Sequence, residues 1–249
     1  MALGKLAELD FDAVIFDMDG TLIDSTPAVD RAWATWAEEH GVTAEELAGH
    51  HGMPSAGVVR KLLPDHVHEA AIDRINALEI DDTHDIVVLP GAADALAALS
   101  SVRNAIATSC TMPLARARIA AARLVAPTVL VTADQVAHGK PAPDPFLLAA
   151  ERLGVAPERC LVVEDAPAGL TAAEAAGCYR LAVITTTPED ELDADGIVRN
   201  LGDVEFLVAE DGAIRVRELA SREAKTVGPA VDDLTSSRNR VASSSSRWV

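Results

Sequence analysis

Two carboxylates one residue apart follow a short apolar run near the start of the chain. The run at residues 13–16 leads into Asp17, Met18 and Asp19. If the run is a strand, side chains two positions apart point to the same side. Such paired carboxylates repel each other unless a cation or a proton lies between them. The structural alternative is a turn, since aspartate favours turns that cap the next helix.

Glu164 and Asp165 follow a second apolar run, at residues 160–163, and open a helical stretch. Alone, they indicate a helix start with Asp165 accepting hydrogen bonds from the free backbone amides. Together with Asp17 and Asp19, they would bring four carboxylates to neighbouring strand ends. Mg²⁺ prefers a few carboxylates combined with substrate oxygens. The four residues are therefore candidate magnesium ligands.

Two further segments offer groups for an anion. Thr108 and Ser109 end another apolar run with hydroxyls and turn amides that can hold an anionic oxygen, although hydroxyl residues are also common in turns. Lys140 stands in the proline-containing loop 139–144. A single lysine usually faces solvent. Here it is one of few cations available to offset four carboxylates and a bound anion.

The elements that must position these residues follow an alternating pattern. Short β-rich runs alternate with Ala- and Leu-rich stretches of helical period, which is typical of β/α units on a parallel sheet. Functional residues in such sheets collect beyond the carboxyl ends of the strands. We therefore predict an α/β fold with a doubly wound parallel sheet. The predicted strands are 13–16, 104–108, 128–131, 160–163 and 181–184, and the predicted helices are 113–122, 143–153 and 166–176.

One long interval interrupts this alternation. Between the first two predicted strands, helical pieces occur around residues 29–39, 44–47, 55–63 and 66–78, whereas a crossover between parallel strands needs one helix. We interpret residues 23–89 as an inserted α-helical cap subdomain. The core domain then comprises residues 1–22 and 90–220. The Ser- and Arg-rich residues 221–249 are predicted to form a disordered tail.

Composition excludes several classes of function. The 249 residues carry a net charge of −18, which repels polyanions. Only 3% of residues are aromatic, so a stacking platform for nucleic-acid bases is not expected. No segment approaches the roughly 18 apolar residues of a membrane span. We expect a cytoplasmic protein without nucleic-acid or membrane partners, a monomer or small homo-oligomer, whose three cysteines are reduced and mostly buried.

In order along the chain, the four candidate segments resemble the motifs of the haloacid dehalogenase superfamily. The segment Val14-Ile15-Phe16-Asp17-Met18-Asp19-Gly20-Thr21 matches its first motif, followed by Thr108, Lys140 and the pair Glu164-Asp165. The resemblance covers about residues 11–185. It implies a Rossmann-like core, and the inserted helices are similar to the α-helical cap of the sugar-phosphatase and β-phosphoglucomutase branch.

The resemblance also implies roles for the site residues. Asp17 would attack phosphorus and form an aspartyl-phosphate, while Asp19 would protonate the leaving alkoxide and then activate water. Mg²⁺ would be held by Asp17, the backbone carbonyl of Asp19, and Asp165. Glu164 would either coordinate the ion directly or hydrogen-bond to a group that does. The phosphoryl oxygens would be bound by Thr108, Ser109 and Lys140.

Departures from the family pattern narrow the activity. A dehalogenase lacks the second aspartate, which is present here as Asp19. A β-phosphoglucomutase carries a hinge histidine where this chain has Val29. It also carries a phosphate-binding arginine three residues after the cap-loop glycine, where this chain has Ser55. We therefore expect hydrolysis. A phosphosugar mutase and a non-catalytic phosphate-binding module are the alternatives.

The segment around His51 resembles the cap of phosphatases that act on small sugar or polyol phosphates. Hexose 6-phosphate, 2-deoxyglucose 6-phosphate and glycerol 3-phosphate exemplify the expected substrates. His51 is a candidate substrate contact, although a helix-capping or solvent-exposed histidine fits the sequence equally well.

Overall fold

The computed structural model describes residues 2–48 and 53–219. Within these ranges the chain forms ten strands and eight α-helices. The strands are β1 (Ala13–Phe16), β2 (Ile23–Asp24), β3 (Val87–Val88), β4 (Asn104–Ala107), β5 (Val129–Val131), β6 (Cys160–Glu164), β7 (Tyr179–Val183), β8 (Gly196–Val198), β9 (Val204–Val208) and β10 (Ile214–Glu218). The helices are α1 (Thr26–His40), α2 (Ala44–Leu47), α3 (Ser55–Leu62), α4 (His68–Asp81), α5 (Ala92–Ala98), α6 (Met112–Ala122), α7 (Asp144–Leu153) and α8 (Pro167–Ala175).

Six parallel strands form the central sheet in the order β5-β4-β1-β6-β7-β8. The predicted doubly wound α/β fold is confirmed. All four residues of β1 are buried, as the continuous apolar run of a strand covered on both faces requires. Five of the six strands were predicted. The sixth, β8, was missed: it has only three residues and begins with glycine, which is depleted in strands.

Alternate residues of β1 supply two apolar layers. Val14 and Phe16 join the larger cluster, which includes Leu114 of α6. Ala13 and Ile15 pack on the opposite face with Phe146 and other residues of α7 and α8. Because both faces are buried in this way, the backbone of β1 and the residues directly after it are held firmly in place.

The helices α1 to α4, here called the inserted helices, lie between β2 and β3. These two strands pair antiparallel, with Ile23 opposite Val88 and Asp24 opposite Val87. The interval was not expected to contain strands, and two-residue strands are too short to be read from periodicity. The inserted helices share an apolar cluster of their own around Trp36, whose Nε1 donates to the carbonyl of Ala71 at 2.9 Å. The boundaries 23 and 89 stay a prediction.

A hairpin of β9 and β10 covers one side of the core and was missed in the sequence. Phe206 of β9 meets Phe16 edge to face, with ring centroids 5.9 Å apart. The predicted tail, residues 221–249, lies outside the described residues. All three cysteines are free and buried, as predicted. In the part of the chain that the structure describes, no helix is long and apolar enough to cross a membrane.

Candidate active site

The predicted site residues lie at the carboxyl ends of the central strands. Asp17 follows β1, Thr108 follows the neighbouring β4, and Glu164 ends β6 on the other side of β1. The sheet is extended from β1 to β4 and β5 in one direction and from β6 to β8 in the other. Ligands of open α/β sheets bind where the strand order reverses in this way.

Asp17, Glu164 and Asp165 form a buried acidic cluster. Carboxylate oxygens of the three side chains lie within 4.8 Å of one another. The ammonium group of Lys140, only 2% exposed, forms ion pairs with Asp17 Oδ1 and with Glu164 Oε1, the latter at 2.7 Å. The cluster thus combines three carboxylates with one ammonium group, which contacts two of them. The cluster is short of positive charge.

The electrostatics reflect this deficit. Burial raises the pKa of Asp17 well above its usual value, and the carboxylates of Glu164 and Asp165 add to this while Lys140 opposes it. Burial, together with the charge of Glu164, raises the pKa of Asp165 to about 8. For Lys140, burial alone lowers the pKa, but the charges of Asp17 and Glu164 outweigh it and the pKa is raised. A divalent cation bound by oxygen ligands fits this cluster, since it would remove the repulsion.

Glu164 is fully engaged in hydrogen bonds. Its Oε1 accepts from Lys140, and its Oε2 accepts from the backbone N–H groups of Asp165 at 2.7 Å and Ala166 at 2.8 Å. Glu164, rather than Asp165, thus accepts from the amides that lead into α8. The contacts suit a side chain that anchors Lys140.

Gly169 in the first turns of α8 leaves room for Glu164. A Cβ at this position would lie 1.7 Å from Glu164 Oε1 and 2.0 Å from its Cδ. We expect Gly169→Ala to displace Glu164, to detach Lys140 from one of its two partners, and to reduce kcat by about tenfold or more, in line with the cost of a roughly 1 Å misplacement of reacting groups. Steady-state kinetics with a phosphate monoester measure the effect.

Gly57→Ala is the matched control for this variant. Gly57 lies in α3, and a Cβ there meets no atom within 4 Å. Alanine inside a helix is more stable than glycine by about 0.5–1 kcal/mol, so the control keeps its activity and gains slightly in thermal stability. Wild-type kcat in Gly169→Ala would contradict the role of Glu164.

Asp165 is held by hydroxyl groups and a close backbone. Its Oδ1 accepts from Thr21 Oγ1 at 3.3 Å, and its Oδ2 accepts from Thr186 Oγ1. Gly20 has a φ of +85°, and a Cβ there would lie 2.2 Å from Asp165 Oδ2. Only glycine therefore permits this approach of the turn after β1 to the end of β6.

The carboxylate of Asp19 turns away from the acidic cluster. Its Oδ1 accepts from Ser25 Oγ at 2.6 Å and from Arg118 Nη1 at 2.8 Å. The thiol of Cys110 donates to its Oδ2 at 3.1 Å. The side chain remains 24% exposed. Asp19 and Asp17 therefore have different hydrogen-bond partners, although only one residue separates them in the chain.

Thr108 and Ser109 occupy the turn after β4. The Oγ1 of Thr108 is buried and accepts from the backbone N–H of Cys110 at 3.1 Å, while its own N–H donates to Val131 at 2.9 Å. Ser109 lines the cavity described next. His51 lies outside the described residues, so its expected substrate contact stays a prediction.

A cavity of about 710 Å³ opens between the inserted helices and the core. Small-molecule sites usually measure about 300–1,000 Å³. Core residues Asp19, Ser109 and Arg118 line one side, and Trp33 and Glu79 of the inserted helices line the other. The acid/base candidate Asp19 thus faces a space large enough for a small organic phosphate.

Known proteins share both the sequence and the fold. The profile of the haloacid dehalogenase-like hydrolases matches residues 11–177. Hexitol phosphatase A of Escherichia coli is 47% identical over 175 residues, which cover 68% of this chain and 81% of the relative. The chain belongs to this hydrolase family. Glycerol-1-phosphate phosphohydrolase 1 of Saccharomyces cerevisiae is 33% identical over 79% of this chain and 85% of its own length.

A solved hydrolase structure from Pseudomonas syringae superposes with a TM-score of 0.71. It is 26% identical in sequence and covers 77% of this chain and 95% of its own. The resemblance to the haloacid dehalogenase superfamily is therefore confirmed in sequence and in fold.

The sequence interpretation missed two site residues that the family motifs do not include. Arg118 of α6 is 3% exposed and Glu79 of α4 is 6% exposed, and both line the cavity. A signal for each was present. Arg118 shares the buried face of α6 with Leu114, four residues earlier, and Glu79 follows Ile75 at the same spacing in α4. A charged residue on the apolar face of a helix is rarely buried without a partner.

Proposed function

We propose that the protein is a Mg²⁺-dependent phosphatase that hydrolyses small phosphorylated sugars or polyols through an aspartyl-phosphate on Asp17. The observation that carries this proposal is the buried acidic cluster with Lys140, next to a cavity that Asp19 lines. The relatives named hexitol phosphatase and glycerol-1-phosphate phosphohydrolase support the substrate class.

Asp17 and Asp165, together with the backbone carbonyl of Asp19, are the proposed ligands of Mg²⁺. Glu164 does not bind the ion in this scheme. It accepts hydrogen bonds from Lys140 and from the backbone amide of Asp165, and so keeps these two residues in place. A bound Mg²⁺ would offset the negative charge of the carboxylates and of the phosphoryl oxygens.

In the first step a carboxylate oxygen of Asp17 forms a bond to phosphorus, and the bond from phosphorus to the leaving oxygen breaks. Asp19 transfers its proton to that oxygen, so that an alcohol leaves rather than an alkoxide. In the second step Asp19 takes a proton from water, the water oxygen bonds to phosphorus, and the bond to Asp17 breaks. Inorganic phosphate is released and both aspartates return to their starting states.

The remaining residues orient these groups. Lys140 fixes the Asp17 carboxylate through their ion pair and offers N–H donors to a phosphoryl oxygen. Thr108 and Ser109 contribute hydroxyl or amide groups to the other phosphoryl oxygens. These contacts would hold phosphorus in line with the nucleophile, which is the main protein contribution to phosphoryl transfer.

The charges in the cavity favour hydrolysis over the mutase alternative. Among its described lining residues, the carboxylates are Asp19, Asp30, Glu38 and Glu79, whereas the single cation is Arg118. Arg118 is already paired with two of these carboxylates. A second phosphate, which a mutase must hold during transfer, would meet net negative charge here, while neutral hydroxyl groups can donate to carboxylates.

A substrate panel tests the proposed function. Phosphate release is measured for glycerol 3-phosphate, hexose and hexitol 6-phosphates, 2-deoxyglucose 6-phosphate and fructose 1,6-bisphosphate, with Mg²⁺ and with EDTA. We expect monophosphates to be hydrolysed with a kcat/KM at least about tenfold above the bisphosphate, a difference of about 1.4 kcal/mol. Isomerised product that requires a bisphosphate activator would establish the mutase. Binding without any release would establish the phosphate-binding module.

A further inference from the structure

Arg118 connects the acid/base candidate to the inserted helices. Its Nη1 donates to Asp19 Oδ1 at 2.8 Å and to Cys110 Sγ at 3.2 Å, and its Nη2 donates to Glu79 Oε1 at 3.0 Å. Arg118 belongs to α6 of the core, whereas Glu79 belongs to α4 between β2 and β3. One guanidinium group therefore joins a residue after β1 to a helix of the insertion.

Stability alone does not account for this arrangement. Burying an arginine between two carboxylates is often no more stabilising than packing apolar side chains in the same space, because all three charges lose water. The Nε–H of Arg118 is also buried without a hydrogen-bond partner, the one such side-chain atom among the described residues. An unmade hydrogen bond of this kind costs about 1–3 kcal/mol. Arg118 therefore keeps its contacts with the two carboxylates although one of its own donors, Nε–H, is left without a partner.

The contacts distinguish the two oxygens of Asp19. Oδ1 accepts from the charged Arg118 and from the Ser25 hydroxyl, whereas Oδ2 accepts from the thiol of Cys110, which is a weak donor. Oδ1 is occupied by two strong donors, which leaves Oδ2 as the oxygen that is free to face a reacting group. Arg118 and Ser25 together therefore hold the plane of the carboxylate and distinguish its two oxygens.

We propose that Arg118 is a positioning residue that holds Asp19 for proton transfer to the leaving oxygen, and that Glu79 holds Arg118 in place when the inserted helices lie against the core. The inference rests on the proposed function of Asp19. Arg118 is not a catalytic residue in this scheme, because it acts through Asp19 rather than on the substrate.

The experiment compares leaving groups in the Arg118→Met variant. Values of kcat/KM are measured for glycerol 3-phosphate, phenyl phosphate and 4-nitrophenyl phosphate, in that order of decreasing need for a proton on the leaving oxygen. General acid catalysis contributes about 10²–10⁴-fold. We expect a loss of about 10²-fold or more for glycerol 3-phosphate, a smaller loss for phenyl phosphate, and less than about fivefold for 4-nitrophenyl phosphate. Because kcat/KM reports the first chemical step, the hydrolysis of the aspartyl-phosphate does not mask this order.

Arg116→Met is the matched control on the same helix. Arg116 is exposed, two residues from Arg118, and outside the residues that line the cavity. We expect its kinetics to equal those of the wild type for all three substrates. Circular dichroism of each variant establishes that the fold is kept.

Glu79→Gln is the second variant. It leaves Arg118 in place but weakens the contact of Arg118 with α4. We expect its losses of kcat/KM to follow the same order of substrates and to be smaller.

Three results would overturn the inference. Equal losses for phenyl and 4-nitrophenyl phosphate would assign Arg118 to substrate binding or general structure, because these two substrates differ in the leaving group and not in hydroxyl groups. Wild-type kinetics in Arg118→Met would remove it from the reaction. If Arg118→Met does not fold, the inference is overturned instead by a Glu79→Gln variant whose loss of kcat/KM is the same for all three leaving groups. Failure of the proposed function can be told apart from these results, since the wild-type protein would then release no phosphate from any of the three substrates.

Discussion

Asp17→Asn abolishes phosphate release while leaving the metal-free protein at least as stable as the wild type. Asparagine keeps the size of the side chain but cannot form the aspartyl-phosphate, so kcat should fall by about 10⁴-fold or more, as for other nucleophiles of covalent mechanisms. The stability follows from the acidic cluster. Burial and two neighbouring carboxylates raise the pKa of Asp17, hence a neutral side chain there relieves repulsion.

Activity and thermal unfolding measured on the same preparation test both parts of this prediction. Asp12→Asn is the control, because it makes the same change just before β1, where the side chain is 43% exposed and pairs with Arg159. It should keep near-wild-type kcat. Substantial turnover by Asp17→Asn would exclude Asp17 as the nucleophile, and a large fall in its melting temperature would contradict the account of the acidic cluster.

Removal of divalent cations should stop turnover and make stability fall as the pH rises. Without a cation, Asp17, Glu164 and Asp165 share the single charge of Lys140. EDTA should therefore reduce phosphate release to background, and added Mg²⁺ should restore it. Recovery of activity by Mg²⁺ separates this effect from unfolding.

The pH dependence follows from Asp165, whose pKa is raised to about 8 in the folded protein, first by burial and then by the charge of Glu164. A carboxyl group whose pKa is higher in the folded than in the unfolded state favours folding when it is protonated. Its contribution is complete below its ordinary pKa, near 3.8, and is lost as the pH rises through about 8. We expect the melting temperature of the metal-free protein to fall over this range, and stabilisation by Mg²⁺ to grow.

Asp165→Asn supplies the control, since it removes the titrating group and should flatten much of the pH dependence. Differential scanning calorimetry with EDTA and with Mg²⁺ measures both quantities. A metal-free melting temperature that rises from about pH 5 to pH 8 would contradict the charge deficit of the acidic cluster.

The sequence predicted the part of the site that is encoded locally. Asp17 and Glu164 each adjoin a buried apolar run, and parallel strands bring the ends of such runs to one edge of a sheet. The sheet itself was predictable because the alternation of β-rich runs and helical stretches is also a local signal. Lys140 was identified through its proline-containing loop, although its ion pair with Asp17 spans 123 residues of sequence.

Contacts that depend on tertiary packing were not predictable in the same way. Arg118 and Glu79 are 39 residues apart and belong to different layers, so no spacing rule connects them. Thr186 reaches Asp165 from beyond β7, and a threonine in a polar loop carries no local signal for such a role. The strand β8 was missed because it has only three residues. The alternating buried and exposed residues of β10 are the usual sign of a half-buried strand, so that signal was present in the sequence and was not used.

The pairing of β2 with β3 has a consequence for how specificity can be changed. The chain leaves the core and returns to it through two strands that lie side by side, Ile23 opposite Val88 and Asp24 opposite Val87. The inserted helices are thus attached as a cassette whose two ends meet at one place. Exchanging that cassette for one from a relative would leave Asp17, Lys140 and Asp165 untouched. We expect such an exchange to alter substrate choice, because the inserted helices line one side of the cavity, and to keep full activity only where the new segment supplies a carboxylate in place of Glu79.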